Sequence, residues 1–86
     1  MLKIVLLAML LLAGCSEPRG IRIGSKSFTE SVVLGEILCN QLRSRSTPAQ
    51  HRAQLGGTRV LWEALLAGSI DAYPEYTGTI AQEILH

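Results

Sequence analysis

Residues 21–30, Ile-Arg-Ile-Gly-Ser-Lys-Ser-Phe-Thr-Glu, decide the fold of this chain because they read as a strand that turns directly into a helix. Residues 21–24 alternate apolar and small or charged side chains, which predicts a short strand that ends at a glycine. Ser27 and Glu30 stand at the S-x-x-E spacing of a capping box. The sequence therefore predicts a helix that begins at Phe28 and ends near Arg43.

This first predicted helix is amphipathic. Glu36 and Arg43 fall on one side of it, and large apolar side chains recur on the other side at helical spacing. We expect the apolar side, formed by Val33, Leu34, Ile37, Leu38 and Leu42, to pack on a sheet. Cys39 lies within the same helix, and a lone cysteine there is expected to be a small buried residue rather than a nucleophile.

The same alternation of strand and helix continues along the chain. Residues 50–55 are a weak strand candidate, and a second amphipathic helix capped by Thr58 follows, with Gly68 as its left-handed stop. Residues 70–73 predict a third strand, and a second S/T-x-x-E/Q box at residues 79–82 predicts a third helix. The order β-α-β-α-β-α is typical of an α/β fold with a parallel sheet.

Ligands of open parallel sheets bind beyond the carboxyl ends of the strands, where both capped turns should lie. Unpaired N–H groups at a helix start suit a carboxylate or another small anion. The first turn carries a cation, Lys26, and the second carries an aromatic ring, Tyr76. We expect both to belong to one edge of the sheet.

The first 15 residues have the pattern of an export signal. A positive start that contains Lys3 precedes an apolar run over residues 4–12 and two small residues. The run ends in Leu-Ala-Gly-Cys at residues 12–15, which resembles the lipobox of bacterial lipoproteins. In those proteins the cysteine, here Cys15, is lipidated and becomes the new N-terminus. Two alternatives to a lipobox are an ordinary signal peptide with an incidental cysteine and a buried N-terminal helix.

These patterns divide the chain into three parts. We expect a signal peptide at residues 1–14, a lipidated tether at residues 15–20 and a folded part at residues 21–86. The folded part is then extracytoplasmic and anchored by lipid to a bacterial membrane, on the periplasmic side if the cell has two membranes.

Charge and residue types exclude several functions. Lys3 is the one charged residue of the first 14, so the rest of the chain carries seven basic and seven acidic side chains. Without a clustered basic excess, nucleic acid is not an expected partner. No nucleophile stands with a base, so an enzyme is not expected. His51 and His86 have no metal-ligand spacing around them, and neither a metal nor a cofactor is predicted.

Three motifs resemble, in order, the opening motifs of substrate-binding proteins of osmoprotectant ABC transporters, the glycine betaine/choline/carnitine class. They are G-S-K-S-F-T-E at 24–30, L-G-G-T at 55–58 with W-E-A-L at 62–65, and D-A-Y-P-E-Y-T-G-T at 71–79. Family members are several times longer and fold as two α/β lobes around a cleft. The resemblance thus implies that this chain is an incomplete N-terminal part of the first lobe of a type II periplasmic-binding-protein fold.

The resemblance also implies a function, the extracytoplasmic solute-binding component of an ABC importer for quaternary-amine osmoprotectants. Such a protein delivers its ligand to an ABC permease and catalyses nothing. By resemblance Lys26 and Thr79 bind the ligand carboxylate, and Tyr76 is one wall of an aromatic cage around the quaternary ammonium. Ser31 departs from the branch of the family that has Gln at this position.

Each candidate residue also has a structural interpretation. In the structural interpretation Lys26 is a solvated loop cation, Tyr76 is a packing residue and Thr79 is a helix cap. The three other aromatic residues, Phe28, Trp62 and Tyr73, are expected in the core. A small structural or interaction lipoprotein without ligand binding is the alternative function.

Overall fold

A computed structural model describes residues 20–85, so the predicted signal peptide, Cys15 and most of the tether lie outside the described residues. No helix within residues 20–85 is long and apolar enough to cross a membrane. The elements are β1 (Ile21–Gly24), α1 (Thr29–Ser44), β2 (Ala49–Arg52), α2 (Thr58–Leu66), α3 (Thr77–Thr79) and a π-helical turn (Ile80–Ile84).

The sheet of the described chain pairs β1 with β2 in parallel, with Ile21 opposite Ala49 and Gly24 opposite Arg52. The weak strand candidate at residues 50–55 is therefore a strand, although it begins one residue earlier and ends at Arg52. Helix α1 makes the crossover between the two strands, as the predicted order requires.

The third predicted strand, at residues 70–73, is reduced to one parallel bridge between Ala72 and Ile23. The Gly24 N–H donates to the Ala72 carbonyl at 2.9 Å, as in a parallel ladder, and the Asp71 N–H donates to the Arg22 carbonyl at 2.8 Å. The Arg22 N–H, however, donates to the Asp71 carboxylate at 2.8 Å instead of to a backbone carbonyl. The same carboxylate pairs with the Arg22 guanidinium, and these bonds hold the pKa of Asp71 below its usual range. A side-chain acceptor thus takes the place of the next ladder bond.

Helix α1 turns a different face to the sheet from the predicted one. Its buried residues are Ser31, Gly35 and Cys39. Of the five residues predicted to face the core, Leu42 is half-buried, whereas the other four are 38–53% exposed, namely Val33, Leu34, Ile37 and Leu38. Small side chains one turn apart let the helix approach the sheet closely. The packing gained by this close approach outweighs the burial that the larger apolar side chains would gain on the other face. The prediction that Cys39 is buried is confirmed.

His51 of β2 joins α1 to the turn that follows β1. Its Nε2 lies 2.9 Å from Ser25 Oγ, and its Nδ1 lies 2.7 Å from Glu36 Oε2. Arg43 Nε donates to the Ala49 carbonyl at 3.1 Å. The prediction that Glu36 and Arg43 lie opposite the sheet is therefore wrong, because both reach β2 and fix the helix against it.

The apolar core is small and lies between the sheet and α2. Ile23, Leu61 and Ile70 are at most 2% exposed. A Cβ on Gly24 would stand 2.7 Å from Ile70 Cδ1, so the strand, the helix and the segment after the helix pack without free space. Gly68 has φ of +78°, which confirms the predicted left-handed stop of α2.

We expect Gly35→Ala to destabilise the protein, although alanine in a helix normally stabilises it by about 0.5 to 1 kcal/mol over glycine. An added Cβ would stand 2.6 Å from His51 Nε2, and the ring is held by Ser25 and Glu36. Overpacking of this kind lowers the free energy of unfolding by about 1 to 3 kcal/mol. Urea unfolding followed by Trp62 fluorescence measures it.

Gly78→Ala is the matched control, because no atom lies within 4 Å of the position of its added Cβ. It should leave the unfolding midpoint unchanged or raise it. Equal stability of the two variants would contradict the close contact between α1 and β2.

Candidate ligand-binding site

Three loops meet at the carboxyl ends of the strands and line an open groove of about 780 Å³. The groove brings together the three predicted binding residues, Lys26, Tyr76 and Thr79. The remaining lining residues are Ser27, Phe28, Gly56, Gly57, Thr58 and Glu83. The expectation that both turns lie at one edge of the sheet is therefore confirmed, whereas the roles of the three residues in binding stay a prediction.

The ammonium group of Lys26 is buried and paired. The residue is 5% exposed. Its Nζ donates to Glu75 Oε1 at 2.6 Å and to Thr58 Oγ1 at 2.8 Å. The interpretation of Lys26 as a solvated loop cation is wrong, because the charge already has a counter-ion and a second acceptor within the fold.

Glu75 is the counter-ion, and its side chain is 7% exposed. Its Oε1 also accepts the Tyr76 N–H at 3.0 Å. Its Oε2 is buried and has no hydrogen-bond partner within residues 20–85. Burial, with a further contribution from the Glu75 carboxylate, raises the pKa of Tyr73 to about 12, so this phenol stays neutral at physiological pH. The carboxylate therefore lies among poorly hydrated groups, where its charge acts strongly on its neighbours.

An aromatic pair forms one side of the groove. The rings of Phe28 and Tyr76 stack with centroids 6.4 Å apart and an interplanar angle of 21°. The two residues are 44% and 43% exposed, so the prediction that Phe28 belongs to the core is wrong. The Glu30 carboxylate beside Tyr76 raises the pKa of its hydroxyl, which keeps the ring neutral. Two neutral rings with exposed surface offer the π-faces that attract a cation.

Ser31 holds the turn before α1, in place of the predicted capping box of Ser27 and Glu30. The N-cap of α1 is Phe28, and no side chain caps it. Ser31 Oγ, which is 2% exposed, accepts the backbone N–H of Lys26 at 2.8 Å. Ser31 thus fixes the backbone of the residue that carries the cation.

The other two predicted caps do not form either. The N-cap of α2 is Gly57, so the Thr58 hydroxyl accepts from Lys26 rather than from its own helix. The N-cap of α3 is Tyr76, and no side chain caps that helix. Thr79 is the last residue of α3 and precedes the π-helical turn, and its side chain caps neither of them, so its interpretation as a helix cap is wrong. The residue lines the groove instead.

Ser25, His51 and Glu36 are linked in the order of a hydrolase triad, but Ser25 is 0% exposed. A nucleophile must reach its substrate, so this arrangement is structural. Within residues 20–85 no group of three or more His, Cys, Asp or Glu residues can hold a metal ion.

The chain is similar to proteins that bind solutes for transport. Residues 19–86 match a family model described as the substrate binding domain of ABC-type glycine betaine transport system. The glycine betaine-binding protein YehZ of Escherichia coli strain K12 is 38% identical over 82 residues, which cover 91% of this chain and 27% of YehZ. The ergothioneine transport permease/ergothioneine binding protein EgtU of Helicobacter pylori strain G27 is 36% identical over 64 residues, 73% of this chain and 12% of EgtU.

A solved structure of apo YehZ from E. coli has the same fold over the matched region. The TM-score is 0.69 at 37% identity, and the match covers 78% of this chain and 25% of the YehZ chain. The α/β, periplasmic-binding-protein fold predicted from the sequence is therefore confirmed, and the chain spans about a quarter of the length of this relative.

We expect Ser31→Ala to loosen the Lys26 turn. The variant leaves the buried Lys26 N–H without its acceptor, which costs about 1 to 3 kcal/mol. Amide hydrogen exchange measured by NMR should therefore be faster at Lys26 than in the parent chain.

Ser27→Ala is the control, since it makes the same chemical change at an exposed position of the same turn. If a capping box held the turn, Ser27→Ala would be the damaging change, and that result would contradict the role given to Ser31.

Proposed function

Because the chain belongs to the family of substrate binding domains of ABC-type glycine betaine transport systems, we propose that it serves in the extracytoplasmic solute-binding component of an ABC importer for betaine-type quaternary amines. The observation that carries the proposal is the groove in which Lys26, Tyr76 and Thr79 meet beside a second exposed ring. The family consists of transport proteins rather than enzymes, so the role is binding and delivery to an ABC permease without chemistry.

The ligands in the names of two relatives support this choice of solute. Glycine betaine and ergothioneine each combine a trimethylammonium group with a carboxylate. A trimethylammonium group has no N–H to donate, so it is recognised by ring faces, at about 0.5 to 2 kcal/mol each. A carboxylate needs donors, which an ammonium and a hydroxyl supply. The groove offers both kinds of partner.

We assign the aromatic pair to the cationic end of the ligand. Phe28 and Tyr76 stack side by side and keep 44% and 43% of their surface exposed. We assign Lys26 and Thr79 to the carboxylate end. Lys26 Nζ uses two of its three N–H groups within the fold, and Thr79 lines the same groove at the end of α3.

We also propose roles for the segments that precede the folded part. Residues 1–14 act as a signal peptide, residues 15–20 as a lipidated tether, and residues 21–86 as part of the first substrate-binding lobe. The lipid on Cys15 anchors the protein to the outer side of a bacterial membrane, within reach of the permease. The order of positive start, apolar run, small residues and Cys15 supports this.

Ligand binding is best tested in a chimera in which residues 20–86 replace the matching segment of E. coli YehZ. In calorimetric titrations Tyr76→Ala should weaken the binding of both glycine betaine and choline about 2- to 30-fold, because each ligand has the same cationic group. Tyr76→Phe keeps the ring and should bind both ligands like the parent chimera.

In the same titrations Lys26→Gln should weaken the binding of glycine betaine roughly ten- to a hundredfold, but it should not weaken the binding of choline, which has no carboxylate. Glutamine can still donate a hydrogen bond to Glu75, so the change removes the charge more than the packing. Equal losses for the two ligands would rule out Lys26 as the carboxylate partner.

Lipidation can be tested separately by labelling cells with radioactive palmitate. Cys15→Ser should abolish incorporation into the protein, whereas Cys39→Ser should leave it unchanged, because Cys39 is buried in the fold. Label that persists in Cys15→Ser would overturn the proposed anchor.

A further inference from the structure

The groove contains a buried pair of opposite charges rather than a free cation. Lys26 Nζ and Glu75 Oε1 are 2.6 Å apart, and both side chains are 7% exposed. Each charge is therefore largely cancelled by the other before any ligand arrives. We propose that Glu75 determines the charge preference of the groove: acting through Lys26, it rejects simple carboxylates and admits ligands that carry their own cation. This inference rests on the proposed function of the groove.

Glu75 acts through Lys26 because its own oxygens are enclosed. Its Oε1 accepts from Lys26 Nζ and from the Tyr76 N–H, and its Oε2 is buried. Glu75 is thus a positioning residue, which holds the ammonium of a lining residue in place. The ammonium keeps a third N–H that has no acceptor among the described residues, so a ligand oxygen has one donor to use.

The negative charge of Glu75 gives the pair its selectivity. Its Oε2 has no donor at hydrogen-bond distance within residues 20–85, and the Tyr73 hydroxyl that interacts with the carboxylate is neutral, so among these neighbours Lys26 alone balances the negative charge. An incoming carboxylate that approaches Lys26 meets this charge in a poorly hydrated region, where like charges repel strongly. Rejection of a wrong ligand by a like charge is a common source of specificity.

A betaine avoids this penalty because its ammonium group brings a compensating charge. The exposed rings of Phe28 and Tyr76 lie on the same groove and can take that ammonium group. Glu83 also lines the groove, but it is exposed, so solvent screens its charge far more than that of buried Glu75. The groove thus favours a ligand with both charges over one with a carboxylate alone.

The test uses the whole chain and two probes that each carry half of a betaine, sodium acetate and tetramethylammonium chloride. NMR titrations follow the Lys26 side chain and the rings of Phe28 and Tyr76. In the parent chain acetate should leave the Lys26 signals unchanged. In Glu75→Gln, which keeps an acceptor for Lys26 but removes the negative charge, acetate should bind roughly tenfold or more tightly.

Glu83→Gln is the matched control, because it removes one negative charge from the groove lining without a hydrogen bond to Lys26. Acetate binding that appears in Glu75→Gln alone supports the inference. Acetate binding that is the same in the parent and Glu75→Gln, or that also appears in Glu83→Gln, overturns it. A purely structural role of Glu75 would not change the preference between the two probes.

A reciprocal variant, Lys26→Gln, tests the inference independently if Glu75→Gln does not fold. Lys26→Gln leaves the carboxylate without its counter-ion, so tetramethylammonium should bind more tightly than in the parent chain, and unchanged binding would overturn the inference. Failure of the proposed function has a different signature: the YehZ chimera would not bind glycine betaine, whatever the response of Glu75→Gln to acetate.

Discussion

The ion pair between Lys26 and Glu75 is the interaction on which this fold and its groove depend. It joins two loops that are 49 residues apart in the sequence, and Thr58 ties a third loop to the same ammonium group. An unpaired charge at a site that is 7% exposed would destabilise the protein by about 3 to 5 kcal/mol, so each partner requires the other. Backbone hydrogen bonds also join the first two loops, from the Ser27 N–H to the Gly56 carbonyl and from the Leu55 N–H to the Ser25 carbonyl. The ion pair ties the loop of Glu75 to both of them.

The rest of the site follows from the position of this pair. Ser31 fixes the backbone of Lys26, and the N–H of Tyr76 donates to Glu75, so the aromatic ring of the second turn is set by the same carboxylate. Phe28 stacks on Tyr76 from the first turn. Lys26 was expected to carry a free ammonium for the ligand, but this ammonium is part of the structure. Its bonds to Glu75 and Thr58 leave one N–H group for a ligand.

The order of strands and helices and the meeting of both turns at one edge could be predicted, because local periodicity and turn residues determine them. The hydrogen-bond and ion-pair partners of individual side chains could not be predicted from the sequence. Sequence spacing relates Ser27 to Glu30, but it does not relate Lys26 to Glu75. The face of α1 was missed for a similar reason, since burial of Gly35 depends on the ring of His51 in a strand 16 positions later. Contacts between distant segments, rather than patterns within one segment, fix these features.

A double-mutant cycle on the ion pair tests this account most directly. The variants are Lys26→Met, Glu75→Met and the combination of both, and the free energy of unfolding in urea is measured for each. If the pair holds the loops together, each single variant loses several kcal/mol and the double variant regains much of that loss, since no charge is then left buried alone. Losses that add within about 0.5 kcal/mol would show that the two charges do not depend on each other, and would contradict the account.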